Sequence, residues 1–130
     1  METIFSKIIN KKIPCHLVAE NKVAISFMDI NPIQKGHVLV VPKLQVDYLF
    51  DLDEKTYHDL WSFTKIIADA LKKTIPCKRI GVSVIGFEVP HAHIHLIPIN
   101  NVVDMNFTNK IKTNSTDLAI LSKIISNNLR

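Results

Sequence analysis

Apolar residues first recur at helical spacing near the start of the chain, where Ile4, Phe5, Ile8 and Ile9 share one side of a 3.6-residue period. This predicts a short helix over residues 3–10, ended by Lys12, Ile13 and Pro14. The pattern then shortens and becomes β-branched. Leu17–Glu20 and Val23–Met28 read as two strands around a turn at Asn21-Lys22. Asn31-Pro32 opens a loop, and Lys35-Gly36 leads into His37–Val41, a buried strand ended by Pro42. The longest periodic stretch is 53–75, where Leu60, Trp61, Thr64, Ile67, Ala68 and Leu71 fall on one helix face. Asp51 and Glu54 stand at capping-box spacing before it, and Pro76 stops it.

Two further strands are predicted, Arg79–Ile85 and His91–Ile97, around Gly86-Phe87-Glu88-Val89-Pro90. After a polar loop, Leu118, Leu121, Ile125 and Leu129 form the stripe of a last helix over 115–129, capped by Asn114 or Ser115. Strands separated by hairpin-length connections, with one long central helix, give an α+β domain built on a five-stranded, mostly antiparallel sheet. The 130 residues fit one domain, 1–130.

Composition narrows the function classes. The chain is 47% apolar and 22% charged, an ordinary globular balance. Its net charge of +4 is scattered rather than blocked, with no basic stripe interleaved with aromatics, so no nucleic-acid partner is expected. No apolar run is long enough to span a bilayer, and the N-terminus lacks a signal-peptide pattern, so no membrane association and a cytoplasmic location are expected. Cys15 and Cys77 form no C-x-x-C pair and read as free thiols.

One segment carries chemistry. Three of the six histidines lie in H-A-H-I-H-L-I, residues 91–97. On a strand, alternate side chains share a face, so His91, His93 and His95 point one way while Ala92, Ile94 and Leu96 point into the core. Successive histidines are then about 7 Å apart along the strand. Such a row suits reaction on an anionic group, one imidazole attacking while its neighbours donate hydrogen bonds and move protons. Surface histidines on a half-exposed strand are the plain alternative. A metal site is the other: an H-x-H pair with a third ligand such as His37, because the outer two rings are about 14 Å apart and cannot close on one ion.

H-A-H-I-H-L-I matches the signature of the histidine triad (HIT) family, His-φ-His-φ-His-φ-φ with φ apolar, at every position. I4-F5-S6-K7-I8-I9 followed by I13-P14 resembles the opening of the family's Hint branch. F27-M28-D29-I30-N31-P32 resembles its ribose-binding strand and turn, and G36-H37-V38-L39-V40-V41-P42-K43 its second histidine-bearing strand. The resemblance covers residues 3–98. It implies a HIT-like fold, a homodimer, and binding of purine nucleotides cleaved at the α-phosphate of esters or amidates, such as adenosine 5′-phosphoramidate. The reaction would run through a covalent nucleotidyl-histidine, without metal or cofactor.

Carried over, the resemblance makes His93 the nucleophile and has His95 contact the phosphate and assist the leaving group. His91 and His37 would orient His93. Asp29 would hold the ribose hydroxyls, and Ile4, Phe5, Ile8, Phe27 and Ile30 would line the base pocket. By residue type alone these apolar residues fit a core, and Asp29 fits a turn. A nucleotide-binding sensor or partner-binding module with little turnover is the competing reading. The chain departs from the Hint branch at I85-G86-F87-E88-V89-P90, which is shorter and holds no Gln or Ser, at Gln45, where a histidine is common, and in its C-terminal extension over 99–130. In the family that tail helps set substrate choice.

Overall fold

The computed structural model describes residues 1–129. Five strands form one antiparallel sheet in the order β1-β2-β3-β5-β4, where β1 is Leu17–Glu20, β2 Ala24–Met28, β3 Val38–Pro42, β4 Arg79–Ser83 and β5 Ile94–Ile99. Three α-helices accompany it: α1 (Ile4–Ile9), α2 (Glu54–Thr74) and α3 (Ser115–Asn127). The α+β class and the five-stranded sheet are as the hydrophobic pattern predicts.

Alternation along the strands divides the core in two. Ala24, Met28, Val38, Val40, Ile94 and Leu96 face α2 and α3 and join the larger apolar cluster. Ile25, Phe27, Leu39 and Val41 face the other way and pack with Phe5 and Ile8 of α1. Fully burying a side chain such as Phe5 contributes about 1.5–3 kcal/mol, enough to hold this short helix on the sheet although it is marginal alone. Strand register puts Phe27 opposite Leu39 and Leu39 opposite His95, so a row on the α1 face runs from apolar side chains to an imidazole.

Local signals differ from expectation at the element ends. The N-cap of α2 is Asp53, whose carboxylate accepts from the Thr56 N–H at 3.2 Å, rather than Asp51, which ends a 3-10 turn over Leu49–Asp51. An acidic residue at either place matches a cap, and only the chain path selects between them. β4 ends at Ser83, short of Ile85, and β5 begins at Ile94, so His91 and His93 belong to the approach to the strand and not to its ladder. The backbone there serves other partners: the Ala92 N–H donates to the Val46 carbonyl at 2.7 Å. The final helix is capped by Asn114, which accepts from the Asp117 N–H, and it ends at Asn127.

Gly36 shapes the entry to β3. Its φ is +90°, and a Cβ there would lie 2.8 Å from Cγ1 of Ile75, so the turn delivering His37 requires glycine on both counts. Among the described residues, no helix is long and apolar enough to cross a membrane.

Candidate active site

His37, His91, His93 and His95 are all buried, at 0%, 0%, 5% and 8% exposure, which rules out surface histidines on a half-exposed strand. Buried imidazoles require partners, and the partners fix which nitrogen carries each proton. The Ile33 N–H donates to Nδ1 of His37 at 3.1 Å, so that nitrogen is an acceptor and the proton sits on Nε2. His37 Nε2–H donates in turn to Nδ1 of His95 at 2.9 Å. The proton of His95 is therefore on its Nε2. One backbone N–H thus sets the tautomers of two rings in series.

The other two rings are fixed in the same way. His91 Nε2–H donates to the Pro42 carbonyl at 2.8 Å, which leaves Nδ1 to accept from the Thr3 hydroxyl at 3.1 Å. Thr3 Oγ1 also accepts from the Ser6 N–H as the cap of α1, so its proton is available for His91. His93 Nδ1–H donates to the carbonyl of His91 at 2.8 Å, which leaves a lone pair on Nε2. Phe5 packs edge-on against His93 with ring centroids 4.9 Å apart, and His93 and His95 are also 4.9 Å apart.

Charge is suppressed in this cluster. Burial pushes His37 down to about 3, helped by the positive charge of Lys110. Burial also pushes His95 down to about 3, with the neighbouring His37 next in effect. His91 is lowered as well, again by burial, against the opposing pull of the Pro42 carbonyl. His37, His91 and His95 are thus neutral at pH 7, as their acceptor nitrogens require.

Beside the rings lies a cavity of about 270 Å³ lined by Ile4, Phe5, Ile8, Phe27, Asp29 and Ile30 together with His93 and His95. The sequence-predicted residues therefore converge. Phe5, Ile8 and Phe27 are buried and also belong to the core, whereas Ile4 and Ile30 are 48% and 62% exposed at the cavity wall. His37 and His91 stand behind His95 and His93 and do not line this cavity. Asp29 has two engagements: Oδ1 accepts from the Asn31 N–H at 2.7 Å, as a turn residue does, and Oδ2 lies 3.4 Å from His37 Nε2.

Some lining residues went unforeseen. Ile13, Cys15, Leu39 and Val89 complete the apolar cavity. Phe107 packs against His95 at 4.9 Å and His37 at 6.1 Å between centroids, and no local pattern in its polar loop announces this. Thr3, predicted as the first residue of the helix, is instead the cap of α1 and also a partner of His91. A metal set also exists in space: ligand atoms of Asp29, His37 and His95 lie within 4.8 Å of one another. This is not the H-x-H pair read from the sequence, and Asp29 supplies the carboxylate that sequence spacing did not reveal.

Comparison with known proteins converges on one group. The HIT domain family matches residues 10–102. An uncharacterized HIT-like protein of Methanocaldococcus jannaschii is 40% identical over 106 residues, 73% of this chain and 77% of that protein. The adenosine 5′-monophosphoramidase HNT1 of Saccharomyces cerevisiae is 35% identical over 96 residues, 73% of this chain and 61% of that protein. A crystal structure of a HIT-like protein from Bartonella henselae, involved in cell-cycle regulation, matches with a TM-score of 0.87 at 33% identity, covering 98% of this chain and 96% of that one.

Proposed function

Because the chain belongs to the HIT family, we propose that it is a nucleotide hydrolase or transferase that cleaves nucleoside 5′-monophosphate esters or amidates at the α-phosphate, with His93 as nucleophile. The observation that carries this reading is the 2.8 Å bond from His93 Nδ1–H to the His91 carbonyl, which holds the Nε2 lone pair ready on a ring that borders an apolar cavity. The base lies among Ile4, Phe5, Ile8, Phe27 and Ile30, and the Asp29 carboxylate accepts from the ribose hydroxyls.

The chemistry balances without an added reactant other than water. His93 Nε2 attacks phosphorus as the bond to the leaving group breaks, that group takes a proton from solvent, and His95 Nε2–H hydrogen-bonds the departing atom and the phosphate as charge shifts onto them. The nucleotidyl-imidazolium keeps its Nδ1–H on the His91 carbonyl, which stabilises the positive charge. Water then attacks phosphorus and releases its proton to solvent, replacing the one taken up in the first step, and the electron pair of the phosphorus–nitrogen bond goes back to His93. A purine nucleoside monophosphate departs. Adenosine 5′-phosphoramidate is the substrate to test, with released AMP as the readout. Absence of AMP alongside tight nucleotide binding would favour the sensor reading.

A homodimer is the assembly this reading favours. β4 is an edge strand, and Val82, Val84, Ile85 and Phe87 on and beyond it are exposed, as are Tyr48 and Phe50 nearby. A second copy of this chain, pairing along that edge in a homodimer, would cover an apolar surface otherwise left to water. Sedimentation at micromolar concentration tests this, and a monomer would overturn it. We place the enzyme in the cytoplasm, where the free thiols of Cys15 and Cys77 are stable.

A further inference from the structure

A second cavity, of about 390 Å³, shares Asp29, Asn31, Glu88, His93 and His95 with the apolar one but is closed by Phe87, Phe107 and Lys110 instead of α1. The two cavities therefore meet at the reacting histidines. With the nucleoside in the apolar cavity and phosphorus at His93, the departing group leaves on the side away from the attacking nitrogen, beside the proton of His95. That is the side on which Phe107 packs, since its ring neighbours are His95 and His37.

Among the described residues, Lys110 is the only Lys or Arg lining this second cavity, and it forms no salt bridge with any of them. Its Nζ lies 5.9 Å from the centre of the Phe107 ring, and its charge bears on both His37 and His95. The segment that presents it is tied down. The Ile111 N–H donates to the Pro32 carbonyl at 2.8 Å, the Gln34 amide donates to the Asp104 carbonyl at 3.2 Å, and Asn106 Oδ1 accepts from the Thr108 N–H at 3.0 Å. Glu88 lines both cavities and so stands at their junction, whereas Lys110 belongs to the second alone.

We propose that Lys110 is a specificity-determining residue that pairs with a negative charge on the leaving group, so that the site prefers adenylates whose leaving group is anionic. The inference rests on the covalent reading above. In the step concerned, the bond from phosphorus to the leaving nitrogen or oxygen breaks as the bond to His93 Nε2 forms. The leaving atom takes its proton from solvent while His95 Nε2–H hydrogen-bonds it, and the leaving group departs with its own carboxylate or phosphate still ionised and facing Lys110.

A matched pair of substrates isolates that charge: AMP joined through nitrogen to glycine, whose carboxylate is ionised, and AMP joined to glycinamide, its neutral isostere. ADP supplies a phosphate in place of the carboxylate and tells the two anions apart. The wild type should favour glycine over glycinamide in kcat/KM by about fivefold, the scale of a partly solvated ion pair. Lys110→Met should abolish the preference and Lys110→Arg should restore it. Equal rates on the matched pair in the wild type would overturn the proposal. So would a Lys110→Met variant that loses the same factor on both, since the lysine would then act on the shared α-phosphate. In either case, turnover of the glycinamide conjugate by the wild type keeps the covalent reading intact, and failure to cleave any of the three removes both.

Discussion

His37 donates through Nε2 to Nδ1 of His95 at 2.9 Å, and the acceptor role of His37 Nδ1 toward the Ile33 N–H makes this the only direction the bond can take while both rings are neutral. A proton added to either ring breaks the series. The consequence is a dependence of stability on pH. Both rings are held at about 3 against an ordinary value of 6.5, so the unfolded chain takes up their protons first as pH falls. Their contribution is fully present above pH 6.5 and is lost progressively toward pH 3. Each ring adds a slope approaching about 1.4 kcal/mol per pH unit in that window. Urea midpoints between pH 6.5 and 5, above the carboxylate range, should fall accordingly. His95→Asn should flatten the slope by about one proton. A variant with the wild-type slope would show that His95 titrates alike in both states.

His93→Ala removes the nucleophile and leaves the apolar cavity. Turnover of adenosine 5′-phosphoramidate should drop by several orders of magnitude, while AMP still binds. The covalent intermediate should be trapped on wild type by rapid acid quench and be absent from the variant. Retention of more than about a tenth of the activity would take His93 out of that role.

Asp29 should distinguish ribose from deoxyribose. Losing a hydrogen bond to a charged acceptor costs about 1.5–3 kcal/mol, so AMP should bind about tenfold or more tighter than its 2′-deoxy analogue. Asp29→Ala should erase the difference. Equal affinities in the wild type, measured by calorimetry, would leave Asp29 as the turn residue that its bond to Asn31 already makes it.

Activity should survive dialysis against a chelator, although Asp29, His37 and His95 are near enough to hold an ion. An ion there would take the lone pair of His95 Nδ1 and displace the proton of His37 Nε2, dismantling the series that leaves a proton on His95 Nε2. Added zinc should therefore not raise the rate. Loss of activity on chelation, restored by zinc, would reassign these residues as ligands.

Much of this arrangement was legible in the sequence because it depends on local periodicity. The H-x-H-x-H alternation and the β-branched run of β3 each announce a face, and the sheet brings those faces together, whereas Asp29 and the base pocket were marked only by the resemblance to the HIT family. Strand boundaries were less legible. His91 and His93 alternate as strand residues do, yet their backbone lies outside the β5 ladder, since pairing depends on a partner strand that sequence spacing does not specify. The residues that were missed act across the chain. Thr3 meets His91 over a separation of 88 residues, and Phe107 reaches His95 from a loop whose polar composition points only to solvent.

The bond from the Thr3 hydroxyl to His91 also bears on the order in which the molecule assembles. A contact between residues so far apart forms only after most of the intervening chain has been brought into place, and contacts of that kind slow folding. The helix behind Thr3 is one face of the apolar cavity, so an opening that lifts α1 from the sheet would expose His91 and unmake the base pocket together while β1–β5, α2 and α3 stayed packed. Amides of the first nine residues should then exchange with solvent faster than those of the central strands. Bound nucleotide should slow them, because it can hold the pocket only when the first turn of the chain is home.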